Sequence, residues 1–330
     1  MSKTKISATI DRILTIELVR VTERAAVAAA RMRGRGDERA ADLAAIDAME
    51  RELNHLPIDG TIVIGEGTED AVDHLYLGEK VGTLNGPEVD VAAVALEGAT
   101  LCAKNLPNAL TVVAMATGGS FLNVPDVYME KIAVGRGYPD GLIDLDATPG
   151  ENLLALAAAK GVSVEELSVC ILDRPRHARL IEEVREAGAA IRLIGDGDVS
   201  GVFHTTNPER SGVDIYMGTG GASEGVLAAA ALRCIGGQMQ GRLVPRNKEE
   251  RDRIKAVGLK DVERKYGIED MVPDDVYFAA TGITDGNLVR GVHFRDDEIR
   301  THSVVMRSST GTVRWVDACH QRLEKFHLDR

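Results

Sequence analysis

Three times in its second half the chain runs from a short apolar stretch into a loop rich in glycine, arginine or aspartate. Strand Ser168–Leu172 leads into Leu172-Asp-Arg-Pro-Arg-His177 and a helix over Pro175–Ala187. Strand Ala190–Ile194 leads into Gly195-Asp-Gly-Asp198. Strand Val213–Met217 leads into Gly218-Thr-Gly-Gly-Ala-Ser-Glu-Gly225 and an alanine-rich helix over Ser223–Ile235. Apolar strands alternating with helices bury both sheet faces, so this succession predicts a layered α/β fold. The first half fits the same class. Helical periodicity from about Asp11 to Arg33 stops at Gly34-Arg-Gly36, and a second helix starts behind Asp37 as N-cap and runs to about Leu53. Thr61–Ile64, Val89–Leu96 and Ala109–Ala116 read as buried strands. Further on, a basic helix is expected near Lys248–Val257, with strands around Val276–Ala280, Leu288–Phe294 and Ile299–Met306.

A chain of 330 residues accommodates one large α/β unit or two subdomains. Thr148-Pro-Gly150 is the expected hinge, dividing 1–150 from 151–330. The net charge of −12 disfavours nucleic acid and anionic lipid as partners, although local arginines and bound cations can still attract an anionic small molecule. The four cysteines are dispersed without a C-x-x-C pair, which argues against zinc or disulfide frameworks and fits a reducing compartment. The start Met-Ser-Lys-Thr-Lys-Ile-Ser lacks the apolar stretch of a signal peptide, and no apolar run is long enough to span a membrane. The expected location is the cytoplasm.

The glycine loop at Gly218–Gly225 turns a strand into a helix and could point backbone N–H groups at an anion. It lacks the G-K-[S/T] of a P-loop, and Ser223 breaks the dinucleotide fingerprint. A tight turn with Ser223 as N-cap reads it equally well, and Glu224 then either complements the helix dipole or ligates a metal. Arg174 and Arg176 flank a turn-fixing proline, and guanidinium forks match phosphate oxygens; a solvated helix start is the plainer alternative. Asp196 and Asp198 sit at a strand's carboxyl end, where open α/β sheets bind ligands. In the first half, Glu66 of Ile64-Gly-Glu-Gly67 and Glu97 each end a strand, and Asp42 could reach them from its helix. Carboxylates gathered near a phosphate cradle suit Mg²⁺ or Mn²⁺, although any one of them could be an ordinary exposed acid. His177, His204 and His302 are scattered, show no H-E-x-x-H spacing and suggest no catalytic role.

From about Leu18 to Cys319 the chain resembles class II fructose-1,6-bisphosphatase. The segments that carry the resemblance include Gly34-Arg-Gly-Asp37, Asp59-Gly-Thr-Ile-Val-Ile-Gly-Glu-Gly67, Leu75-Tyr-Leu-Gly-Glu-Lys-Val-Gly-Thr83 and Asn123-Val-Pro-Asp-Val-Tyr-Met-Glu-Lys131. Arg174-Pro-Arg-His177, Asp196-Gly-Asp198, Gly220-Gly-Ala-Ser-Glu-Gly225 and Ala280-Thr-Gly-Ile-Thr284 complete it. The resemblance implies the layered α/β fold of the fructose-bisphosphatase and inositol-monophosphatase type, with two α/β subdomains. Residues 1–150 would then bind metal and 151–330 the sugar phosphate. It implies hydrolysis of the 1-phosphate of fructose 1,6-bisphosphate in gluconeogenesis, extending in some relatives to sedoheptulose 1,7-bisphosphate, with Mn²⁺ or Mg²⁺ and a homo-oligomeric assembly, dimer or tetramer. Matched position by position, Asp42, Glu66, Glu97 and Glu224 correspond to metal ligands, Glu97 and Glu224 being also catalytic. Glu97, Gly98, Ala99, Tyr128, Arg174, Pro175, Arg176, Asp196, Gly197, Asp198 and Gly221 correspond to substrate contacts.

The departures cluster in one strand. The family reads approximately V-D-I-A-V-D-P-[I/L]-E-G-T, whereas this chain reads Val89-Asp-Val-Ala-Ala-Val-Ala-Leu-Glu-Gly-Ala99. Val94 therefore stands where a metal-ligating Asp is implied, and Ala99 where a Thr would help activate the attacking water. Two readings follow: an enzyme with turnover lowered by Val94 and Ala99, or a paralogue that binds sugar phosphates without cleaving them. A well-packed strand with Val94 and Ala95 buried would fit the second. The segment Gly65-Glu-Gly-Thr-Glu-Asp-Ala-Val-Asp-His74 also departs from the family's G-E-G-E-x-D-E-A-P-M, and Asp73 and His74 are new candidate ligands in what could equally be a solvent-facing loop.

Overall fold

The computed structural model describes residues 3–326, with side chains from Leu14 onward; Met1 and Ser2, part of the start expected above to lack a signal peptide, lie outside the described residues, as do 327–330. In chain order, helices α1 (Lys3–Ala30) and α2 (Glu38–Leu53) precede strands β1 (Asp59–Ile64), β2 (Lys80–Val81) and β3 (Glu88–Glu97), the short helix α3 (Ala99–Ala103) and strands β4 (Leu110–Thr117) and β5 (Tyr128–Val134). Then follow α4 (Pro149–Lys160), β6 (Ser168–Leu172), α5 (Ala178–Glu186), β7 (Ala190–Ile194), α6 (Asp198–His204), α7 (Pro208–Ser211), β8 (Ile215–Gly221) and α8 (Ala222–Ile235). The chain continues through β9 (Gln238–Val244), α9 (Lys248–Ala256), β10 (Tyr266–Gly267), α10 (Ile268–Met271), β11 (Val276–Gly282), β12 (His293–Phe294), β13 (Ile299–Arg307) and β14 (Thr312–His320).

The chain divides into two compact units, one of residues 1–120 with 274–330 and one of residues 121–273. The boundary thus falls near 120 and 273, away from the expected hinge. Thr148 is instead an N-cap: its hydroxyl accepts from the Glu151 N–H while Glu151 reaches back to the Thr148 backbone, a capping box opening α4 within the second unit.

The first unit holds an eight-stranded sheet in the order β12-β13-β11-β4-β3-β1-β2, with β14 on β13. Helices α1 and α2 cover it, and Leu18, Val21, Ile46, Met49, Val91, Val113 and Ala279 are among the residues of its core. Gly34 and Gly36 adopt φ of 72° and 75°, the left-handed conformation that ends α1, and Asp37 caps α2 through the Ala40 N–H. Along β3 the pairing with β4 shifts between Val94 and Glu97, where Ala95 and Leu96 of β3 run against Thr111 alone on β4. This bulge re-aims the end of the strand that carries Glu97.

The second unit holds a six-stranded sheet, β10-β9-β5-β8-β6-β7, in which β6 is parallel to both β7 and β8. Leu153, Val169, Ile171, Val184, Ile215 and Met217 belong to its separate core. The expected strand over Leu288–Phe294 forms only as β12, because the preceding backbone is drawn into side-chain bonds: the Arg290 N–H donates to His302 Nδ1 and the Gly291 N–H to Asp285. The Pro175–Ala187 helix is a 3₁₀ turn over Pro175–His177 followed by α5.

Candidate active site

In the second unit, β8, β6 and β7 are neighbours running in one direction. Their carboxyl ends therefore lie along one sheet edge, and the arginine, glycine and aspartate segments singled out in sequence all leave from it. These segments are stitched together. Arg176 donates through Nε (2.8 Å) and Nη2 (2.6 Å) to the Thr219 carbonyl, and Arg174 Nη1 donates to the Gly195 carbonyl (2.5 Å). Arg174 also lies 3.8 Å from Asp196, whose Oδ1 accepts from the Gly197 N–H. Pro175 is exposed between the two arginines. Buried His177 joins the same assembly. Its Nε2 accepts the Thr219 N–H (2.8 Å), so the ring proton sits on Nδ1, which donates to the Leu172 carbonyl (2.7 Å). Burial, opposed by these bonds, holds its pKa below the ordinary histidine value.

Tyr128 at the start of β5 lies between two guanidinium groups, Arg176 at 4.9 Å and Arg246 at 4.6 Å from its ring centroid. Arg246 in turn is held by buried Glu250. A tyrosine flanked by two cations, with Arg174 on the same sheet edge, gives this face the charge and the fork geometry that an anionic sugar ester requires.

The glycines of β8 serve another purpose than a free anion cradle. Gly218–Gly221 continue the strand, paired with Lys131, Glu130, Met129 and Tyr128 of β5, and the N-cap of α8 is Gly221, where Ser223 was expected. A Cβ at Gly220 would fall 2.1 Å from Asp198 Oδ2, and one at Gly221 1.8 Å from Glu224 Oε2. Glycine here admits carboxylates against the backbone. The Asp198 side chain is committed inward, to Tyr216 and to the buried Lys131, whose Nζ also donates to the Gly221 carbonyl (2.7 Å). Glu224 lies in the first turn of α8. Burial raises its pKa, opposed by the Lys131 charge.

In the first unit, Asp42 is half-buried on α2 and burial raises its pKa. Glu66, just past β1, accepts the Ala95 N–H at 2.7 Å and so lies against β3. Glu97 is 6% exposed at the end of β3, beyond the bulge. Gly98 follows with φ 85° and caps α3, and Ala99 is half-buried behind it. Val94 is the one position between Val89 and Glu97 that is not buried, so the branched side chain is not absorbed into packing as the sequence suggested. Asp90 is occupied elsewhere, accepting the Gly119 and Ser120 N–H groups.

The donor chemistry fits a hard divalent cation: carboxylate oxygens only, two of them on groups that burial pushes toward the protonated form, a cost that a cation relieves. Asp42, Glu66 and Glu97 belong to one unit and Glu224 to the other. Among the described residues, the group whose ligand atoms already lie within 4.8 Å of one another is Glu50, His74 and Glu79, not that set. Sequence reasoning missed Lys131, Arg246, Glu50 and Glu79. The clue for Lys131 was a lysine within an apolar run, Lys131-Ile-Ala-Val134.

The bacterial fructose-1,6-bisphosphatase family, glpX-encoded, matches residues 12–320. The chain is 43% identical to fructose-1,6-bisphosphatase 1 class 2 of Escherichia coli (strain K12), over 97% of this chain and 96% of that protein. It is 40% identical to the D-fructose 1,6-bisphosphatase class 2/sedoheptulose 1,7-bisphosphatase of Synechococcus sp. (strain JA-3-3Ab), over 94% of this chain and 96% of that one. With a match spanning nearly its whole length, the chain belongs to the glpX-encoded bacterial fructose-1,6-bisphosphatase family.

Proposed function

We propose that this chain is a phosphoric monoester hydrolase that removes the 1-phosphate of fructose 1,6-bisphosphate, in gluconeogenesis, and that sedoheptulose 1,7-bisphosphate is a second substrate. The observation that supports it most is the set of three substrate segments on neighbouring parallel strands, in a chain that matches the family over residues 12–320. Asp42, Glu66, Glu97 and Glu224 are the residues that would hold Mn²⁺ or Mg²⁺. Such an ion, when bound, neutralises phosphoryl charge and acidifies a bound water. Arg174 and Arg176 hold phosphate oxygens, Tyr128 lies along the sugar with its ring kept in place by Arg176 and Arg246, and backbone groups of Gly98, Ala99, Gly197 and Gly221 contribute further contacts. Water attacks phosphorus, the bond from phosphorus to the C1 oxygen breaks, and inorganic phosphate leaves with the free alcohol. A carboxylate oxygen of Glu97 takes the water proton, since Ala99 offers no hydroxyl, and that proton is returned to the departing C1 oxygen to give the alcohol. The assembly is a homo-oligomer, dimer or tetramer, working in the cytoplasm; among the described residues no helix is long and apolar enough to cross a membrane.

The test is phosphate release from fructose 1,6-bisphosphate with Mn²⁺ or Mg²⁺, alongside Glu224→Ala and the double substitution Val94→Asp with Ala99→Thr. Release by the unaltered chain, abolished in Glu224→Ala, is the expected result. Release by the double variant alone would turn the reading to a sugar-phosphate binder that does not cut.

A further inference from the structure

Among the described residues, one cluster outside the carboxylates proposed above is arranged to take a cation. Glu50 lies on α2, two turns beyond Asp42; His74 lies in the segment that follows β1; Glu79 immediately precedes β2. One ligand atom from each of the three lies within 4.8 Å of the other two, and all three side chains are half-buried. We infer that Glu50, His74 and Glu79 form a binding site for a divalent transition-metal ion, distinct from the carboxylate set of Asp42, Glu66 and Glu97, for which Zn²⁺ is the natural probe.

Two further observations point to a missing ligand. Glu79 Oε2 is sealed from solvent and has no hydrogen-bond partner. A carboxylate oxygen removed from water without a donor is costly unless a cation meets it. The same side chain is already fixed by bonds from the backbone N–H groups of Leu75 and Tyr76, and it supplies one of the three clustered ligand atoms. Glu50 is fixed as well, since Asn54 Nδ2 donates to its Oε1 while Asn54 Oδ1 accepts the Gly82 N–H at 3.0 Å. Ligands braced by second partners in this way are typical of metal sites. Burial raises the Glu79 pKa and the neighbouring Glu50 charge adds to it, opposed by the Leu75 and Tyr76 N–H groups and by His74.

The donor set narrows the ion. One imidazole nitrogen with two carboxylate oxygens suits Zn²⁺ or Mn²⁺ better than Mg²⁺ or Ca²⁺, which prefer oxygen alone. Ligand bonds of about 2.0–2.2 Å require the three atoms to draw together slightly, and water can complete the shell because the side chains remain part-exposed. A bound ion would tie α2 to the C-terminal part of the 65–79 segment, the stretch that begins one residue before Glu66. Asp73, the other new acid in that segment, is exposed and takes no part.

The experiment uses the full-length chain stripped of metal. Zn²⁺ bound at equilibrium is counted for the unaltered protein, for His74→Asn and for Glu97→Gln, and the ¹⁵N signals of the His74 ring are followed during a zinc titration. The expected result is that His74→Asn binds one fewer equivalent than the unaltered protein, and that one ring nitrogen of His74 takes on a coordination shift that survives in Glu97→Gln. Equal stoichiometry in His74→Asn, or His74 signals unmoved at saturating zinc, would overturn the site. Should His74→Asn fold poorly, the ring signals of the unaltered protein decide alone. Because none of these readouts involves phosphate release, failure here leaves the proposed hydrolysis untouched, and the reverse also holds.

Discussion

A branched hydrocarbon at position 94 is half-open on a strand whose neighbours from Val89 to Glu97 are all sealed, and a methyl group at position 99 follows the left-handed Gly98. Neither side chain can hold a cation or pass a proton. A hydroxyl at position 99 that relays the water proton to Glu97 would contribute about 10²–10⁴-fold in kcat, and Val94→Asp with Ala99→Thr should show at least that gain in phosphate release; no gain would mean that these positions do not face the chemistry. Arg176 makes a separate prediction. Its two bonds to the Thr219 carbonyl and its place over Tyr128 both need the planar fork. Arg176→Lys should therefore raise KM by roughly tenfold, the effect of losing about 1.4 kcal/mol of binding, with kcat changed little in steady-state assays.

At the scale of elements, β5 turns on Lys131. Its ammonium is 1% exposed and is matched by Asp198 from α6 and by the Gly221 carbonyl at the end of β8, so three elements meet on one charge. Lys131→Met leaves Asp198 buried with only Tyr216 beside it, and should cost about 3–5 kcal/mol, read as a lower midpoint in urea unfolding. Adding Asp198→Asn should recover part of that loss, since the two side chains are coupled. The same strand shows where a sequence reading stops. β1, β3, β4, β6 and β7 are legible because their apolar runs are short and bounded by glycine, proline or charge. β5 is not, because Glu130 and Lys131 interrupt its pattern and only the partners brought by the fold explain them. β14, largely exposed and paired with β13, carries no apolar run that would announce it. In the candidate site, Arg174, Arg176, Asp196 and Asp198 are picked out by their motifs, and the fold gathers their segments at one sheet edge. Arg246, Glu50 and Glu79 are not picked out, because each acquires its meaning from a residue distant in sequence or from a turn of helix that gives no local signal.

For the molecule as a whole, the second unit is one uninterrupted segment, residues 121–273, with its own core and sheet. Expressed alone, it should unfold in a single cooperative transition by circular dichroism; a gradual, non-cooperative loss of signal would mean that the segment depends on the rest of the chain. It should also carry a pH signature. His204 is 2% exposed, its Nδ1 has no hydrogen-bond partner, and burial followed by the Arg192 charge lowers its pKa to about 4. The unfolded chain takes up that proton near pH 6.5 while the folded one does not. Stability is therefore full above about 6.5 and falls as pH drops toward 4, by roughly 3 kcal/mol over the window. Unfolding midpoints measured across that range should flatten in His204→Phe.

The pairing of β4 with β11 has a consequence for how the chain is made. The two strands form an antiparallel pair, Ala116 facing Val276, yet all of residues 121–273 are threaded between them. Just outside the inserted segment Ser120 bonds to Asp274 (2.8 Å), and just inside it Leu122 bonds to Met271 (2.9 Å), so the insertion leaves and returns at nearly one point, like a hairpin whose turn has grown into a domain. On the ribosome β4 emerges long before its partner, and one edge of it must wait, apolar and unpaired, until the whole inserted unit has been made. If that unit folds first, it draws the two ends together, and the loop that the outer sheet must close shrinks to a few residues. The sequence that emerges last among the sheet strands, β11 to β14, would then complete a structure whose inner part is already finished.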